Sequence, residues 1–222
     1  MSGLVYYILD LETNGLKTNY HEITEVGIVR ASDRVQLCRN IKCDYPERSS
    51  FDALQLTGKT LADLEIGISK KQAIEDVNTF FADDGLTPNG RCIVGHNIWS
   101  FDRRFLHQLW ESFGQEFPAH YWLDTIHLTK NYLDIYKLPD NQIVKTATGK
   151  TSTKLEAACK MLNVKTVAGK HTAKSDSRNT YLLWKKLIED YKIDYLPYLK
   201  SMPHIIAKSE DDEELMDLLD LG

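Results

Sequence analysis

A chain of 222 residues suffices for one domain with a substantial core and is too short for two full domains. Hydrophobic residues at 42% and charged residues at 27%, with 12 Gly and 6 Pro, exclude a collagen-like, low-complexity or disordered chain. The net charge of −5 has the wrong sign for a nucleic-acid binder. Seven of the acids and no base lie in Ser209–Gly222, however, so the rest of the chain sets 27 bases against 25 acids.

The N-terminus MSGLVYYILD lacks the basic region, long apolar stretch and cleavage site of a signal peptide. Four cysteines form no C-x-x-C pair, and no apolar run is long enough to span a bilayer. The expectation is an intracellular protein, cytoplasmic or in the nucleoid or nucleus, with no membrane partner.

The first element is Leu4–Leu9, an unbroken apolar and aromatic run suited to a central strand buried on both faces; polar residues from Asp10 to Gly15 end it. Ile23–Arg30 and Val35–Lys42 read as a hairpin turning at residues 31–34. Helical spacing of Ala73, Ile74, Val77, Phe80 and Phe81 predicts a helix over 71–81. Cys92–Val94 is a short strand, residues 101–113 a helix, and Tyr121–Asp124 a strand leading into a helix over 125–132. Residues 136–153 are polar, Thr-rich and basic, and read as a surface loop. Helical patterns return at 154–162 and 177–191. Strands first, then alternating helix and strand, point to a mixed sheet covered by helices.

Asp10 and Glu12 lie at i and i+2, so a persisting strand would project both carboxylates from one face. By themselves they read as a solvated strand end sooner than as a site for a hard cation. Their place at the edge of the most apolar strand favours the cation, because neighbouring carboxylates beside a core need neutralising. Asp102 and Asp176 each sit at a helix start, where an acid is also favoured by the helix dipole. His171, five residues before Asp176, carries the side chain best suited to proton transfer near neutrality.

Taken together, these residues resemble the DEDDh (DnaQ-like) family of 3′–5′ exonucleases. Asp10-Leu11-Glu12-Thr13-Asn14-Gly15-Leu16 resembles the family's D-x-E-T-x-G-L, and His171-Thr172-Ala173-Lys174-Ser175-Asp176 its H-x-A-x-x-D. His96-Asn97-Ile98-Trp99-Ser100-Phe101-Asp102 resembles H-N-x-x-F-D with one extra residue. Weaker likenesses are Ile23–Gly27 in a second strand, Leu56–Thr60 in a connector before the first helix, Asp124-Thr125 and Lys154–Cys159.

The resemblance implies an α/β fold, an RNase H-like mixed five-stranded sheet flanked by helices. It implies two divalent metal ions, Mg²⁺ or Mn²⁺, held by Asp10, Glu12, Asp102 and Asp176, with His171 as general base on the attacking water. Thr13, Asn14, Gly15 and Leu16 would line the terminal nucleotide, and Asn97 or Trp99 the next one, although Trp99 reads equally as a packing residue. The implied activity is release of nucleoside 5′-monophosphates from 3′ ends, with single-stranded DNA the expected substrate. An exoribonuclease and a non-catalytic nucleic-acid-binding subunit of a replication or repair machine are the alternatives.

These likenesses fall in an exonuclease domain set at residues 1–208, followed by an acidic tail, 209–222. Leu215, Leu218 and Leu219 could share a helical face there, so the tail reads either as a solubilising end or as a peptide that binds a protein partner.

Overall fold

A computed structural model describes residues 3–167 and 171–202. The tail reading therefore falls outside the described residues. Six strands form one mixed sheet: β1 (Val5–Thr13), β2 (Ile23–Arg30), β3 (Gln36–Asn40), β4 (Arg91–Gly95), β5 (Tyr121–Asp124) and β6 (Lys200–Ser201). Their order is β3-β2-β1-β4-β5-β6. β1, β2 and β3 form an antiparallel meander, β4 and β5 add parallel to β1, and β6 closes the edge antiparallel to β5. The five strands expected are present; the sixth is a two-residue addition whose length offers no sequence period to read.

Seven α-helices flank the sheet among the described residues: α1 (Phe51–Thr57), α2 (Leu61–Leu64), α3 (Lys70–Ala82), α4 (Asp102–Glu111), α5 (Thr125–Tyr136), α6 (Leu155–Met161) and α7 (Ala173–Lys185). Burial on both faces explains the apolar run of β1. Tyr7, Leu9 and Leu11 pack with α3 and α4 residues such as Ile74, Phe81, Phe105 and Trp110. Ile8 faces the other way, into a core built with Leu128, Ala158 and Leu183 from α5, α6 and α7. By strand alternation Asp10 and Glu12 follow Ile8 onto the α7 side.

Three local differences bear on the site. First, β1 does not stop at Leu9 but runs on through Thr13, because β2 pairs with it to the end, Asp10 opposite Gly27 and Glu12 opposite Glu25. Second, α7 begins at Ala173, four residues before the predicted start. The Thr172 hydroxyl accepts from the Ser175 N–H at 3.1 Å and caps it, which places Asp176 inside the first turn. Third, Leu56–Thr60, expected to be a connector before the first helix, joins two short helices, α1 ending at Thr57 and α2 starting at Leu61. Gly58 at φ +67° ends α1, and a Thr60–Asp63 capping box starts α2.

Candidate metal centre

Four acids meet where β1, α4 and α7 converge. Asp10 and Glu12 project from the same face of β1, and α7 brings Asp176 across to them. α7 can lie this close to the sheet because position 27 is glycine: a Cβ there would stand 2.1 Å from the carbonyl oxygen of Ala173. One carboxylate oxygen each from Asp10, Glu12 and Asp176 then fall within 4.8 Å of one another. Asp102, the first residue of α4, is 4% exposed and accepts the Leu11 N–H at 2.9 Å. That bond fixes it to the backbone between the two β1 acids.

The extra residue in the second sequence block is absorbed in the turn before α4. Asn97 takes a left-handed conformation, φ +66°, and Asp124 holds the turn by accepting the N–H groups of Asn97 at 3.0 Å and Trp99 at 3.3 Å. His96 closes the other side, with Nδ1 2.8 Å from the Thr125 hydroxyl and Nε2 2.7 Å from the Thr153 carbonyl. Burial lowers the His96 pKa; Nε2 donates to the Thr153 carbonyl, and the Thr125 hydroxyl beside Nδ1 is in turn 3.1 Å from the Gly95 carbonyl. His96 thus anchors the end of the 136–153 loop.

Crowding raises the carboxyl pKa values. Burial, then Asp102, Glu12 and Asp176, push Asp10 well above the usual carboxylate range. Glu12 rises to about 7 through burial and the charges of Asp176 and Glu25. Asp102 rises to about 8, burial outweighing its backbone hydrogen bonds. Asp176 is raised by burial against the opposing pull of His171. Among the described residues, no lysine or arginine forms an ion pair with Asp10, Glu12 or Asp102. Half-buried to buried, oxygen-only donors that resist ionisation together are the donor set that a hard divalent cation fits.

His171 stands at the rim, 41% exposed, with Nδ1 3.3 Å from Asp176 Oδ2 and Nε2 3.2 Å from Glu156 Oε1. The residues expected to touch substrate divide into two groups. Asn14 is 1% exposed; its Oδ1 accepts the Glu22 N–H at 2.7 Å and its carbonyl the Ser50 N–H at 2.8 Å. The Thr13 hydroxyl donates to the Gly15 carbonyl at 2.7 Å, and Gly15 lies so close under the His21 ring that a Cβ would be 2.2 Å from it. These three shape the turn after β1. Leu16, 79% exposed, and Asn97 face outward, while the Trp99 ring carries Arg103 and Lys200 cations, each 4.3 Å from its centroid.

Comparison with known proteins gives this geometry a family. The RNase T family profile, described as "Exonuclease", matches residues 7–184. The chain belongs to the RNase T exonuclease family. This exonuclease region runs from β1 to α7 and so contains all four acids and His171. Over 133 residues, 60% of the chain, it is 28% identical to the PolC-type DNA polymerase III of Mycoplasmopsis pulmonis, of which the match covers 9%. In fold it is similar to Exonuclease I of E. coli bound to a dT13 oligonucleotide, with TM-score 0.68 and 17% identity over 84% of this chain and 41% of that one. The Exonuclease I of Methylocaldum szegediense gives TM-score 0.65 at 18% identity over 84% and 40%. The exonuclease chain thus spans less than half the length of these solved structures and about a tenth of the polymerase.

Glu25, Lys59, Asp124 and Glu156 lie in the weaker family-like blocks of the sequence, which assign them no role. The strand block containing Glu25 was recognisable, but only the β1–β2 register sets residue 25 opposite Glu12. Glu156 lies one residue into α6, and no motif announces its reach to His171.

Proposed function

We propose that this chain is a metal-dependent 3′–5′ exonuclease that releases nucleoside 5′-monophosphates from the 3′ end of single-stranded DNA. The observation that carries the reading is the convergence of Asp10, Glu12 and Asp176 within reach of one cation, in a chain of an exonuclease family. Asp10, Glu12, Asp102 and Asp176 would hold two divalent cations, Mg²⁺ or Mn²⁺. When bound, such ions neutralise the phosphodiester charge and ease ionisation of the attacking water.

His171 would take the proton from that water through one ring nitrogen, which gives up its carboxylate partner to do so, while the other nitrogen donates its N–H to the remaining carboxylate, Asp176 at Nδ1 or Glu156 at Nε2, and so orients the ring. The new P–O bond forms as the bond to the 3′ oxygen breaks, leaving a 5′-monophosphate and a shortened strand. The exposed Leu16 and Asn97 would meet the terminal nucleotides, with Thr13, Asn14 and Gly15 shaping the loop beneath them. Arg103 and Lys200 add positive charge beside Trp99 for the strand's phosphates.

The match to a PolC-type polymerase favours service to a replication or repair machine as the setting of this activity. In that setting, residues 1–208 act as the nuclease and residues 209–222 bind a protein partner. Deleting 209–222 should then leave hydrolysis intact and abolish partner recovery. No described helix is long and apolar enough to cross a membrane.

The test is digestion of matched 5′-labelled DNA and RNA single strands with Mg²⁺ and with chelator. A ladder shortening one nucleotide at a time on DNA, absent in chelator, is expected. Full activity in chelator would refute the metal role, and faster digestion of RNA the DNA preference.

A further inference from the structure

Glu25 is a fifth carboxylate beside the four, buried to 6% side-chain exposure and directly across the β1–β2 ladder from Glu12. Cross-strand partners bring their Cβ atoms to about 5 Å, so a charge at position 25 acts strongly on position 12. Its oxygens are already engaged. Oε1 accepts the Lys174 N–H of α7 and the Cys38 thiol, each at 3.3 Å, and Oε2 faces Lys59 Nζ at 3.3 Å. Lys59 follows Gly58, whose left-handed turn ends α1 and sends the chain back toward the sheet. Its ammonium favours the ionised form of Glu12, which Glu25 opposes.

We infer that Glu25 and Lys59 form an ion pair that tunes the cation affinity of the acid cluster without ligating the cation. The inference rests on the metal-centre reading above. Two features separate Glu25 from a ligand: three donors occupy its oxygens, and the carboxylates that come within reach of one ion are Asp10, Glu12 and Asp176. With the pair intact its net charge is zero and the cluster presents four acids. Removing the Glu25 charge leaves Lys59 to repel a cation, whereas removing the Lys59 charge leaves Glu25 to attract one. A packing role would give no such opposition of sign. The isosteric change Glu25→Gln keeps a carbonyl oxygen for the Lys174 N–H, so it isolates charge from the docking of α7.

The experiment is calorimetric titration of Mn²⁺ into the full chain without nucleic acid, for wild type, Glu25→Gln, Lys59→Met and the double variant. Melting curves check folding, and Lys59→Gln replaces Lys59→Met if that variant does not fold. Glu25→Gln should weaken Mn²⁺ binding about fivefold or more, Lys59→Met should tighten it similarly, and the double variant should return to within about twofold of wild type. Single variants that shift affinity in the same direction, or not at all, while wild type binds Mn²⁺ overturn the tuning alone. A wild type that binds no Mn²⁺ overturns the metal centre and the tuning with it.

Discussion

Two buried charged clusters lie at opposite ends of β1. At its start, where Val5 pairs with Arg91, Arg91 and Asp84 are 4% and 7% exposed in their side chains and 2.7 Å apart. Arg91 donates to the carbonyls of Phe81, Leu86 and Pro118 as well as to Asp84, and the Tyr7 hydroxyl donates to Asp84 at 2.7 Å. Burial alone would raise the Asp84 carboxyl, but the bonds from Arg91 and Tyr7 outweigh it and hold it at about 2. At the far end the shifts run the other way, with Glu12 at about 7 and Asp102 at about 8. One cluster balances its charge within the chain and serves the fold. The other is left unbalanced, the condition expected of a site completed by something brought from outside.

Breaking each cluster should therefore damage a different property. The largest effect is expected from Asp10→Ala, which should slow release of 3′-terminal nucleotides about a thousandfold or more, since several kcal/mol of transition-state stabilisation depends on that site. Denaturant melting should show the fold intact. Next, Arg91→Met leaves Asp84 buried without its partner and should cost about 3–5 kcal/mol of stability by denaturant melting, while Mn²⁺ affinity stays at the wild-type value.

A smaller effect separates the clusters by pH. Glu12 and Asp102 have folded pKa values above their unfolded ones, so the native chain holds more protons than the unfolded chain between the two. Metal-free stability should fall as pH rises from about 5 to 8, and Mg²⁺ should restore it. Asp84 has the opposite sign: its contribution is present above pH 4 and is lost as pH falls toward 2. Melting curves across pH, with Mg²⁺ and with chelator, check both. The smallest expected effect is a gain: Asp102→Asn should stabilise the metal-free chain by about 1 kcal/mol at pH 8, by removing one of the mutually repelling charges.

The two clusters also differ in how far the sequence announces them. Asp10 and Glu12 are readable because a long apolar strand ends in acids of one parity, and Asp102, His171 and Asp176 follow at spacings that resemble a family. The strand, the hairpin and helices α3 to α6 are likewise visible as periodic apolar patterns. Arg91 and Asp84 form no motif; only the folded path of the chain brings them together. Glu25 needs the strand register, and the early start of α7 depends on a single capping hydroxyl at Thr172 that apolar spacing does not record. Helices α1 and α2 are too short for an apolar period to show, and their signals, Ser50, Gly58 and the Thr60–Asp63 box, lie in local capping rather than in spacing.

The most direct test of the unbalanced cluster is anomalous diffraction from crystals grown with Mn²⁺. Density peaks among Asp10, Glu12 and Asp176, lost in Asp10→Asn, are the predicted result. No peak there in the wild-type chain, or an unchanged peak in the variant, would contradict the assignment of these acids as a metal centre.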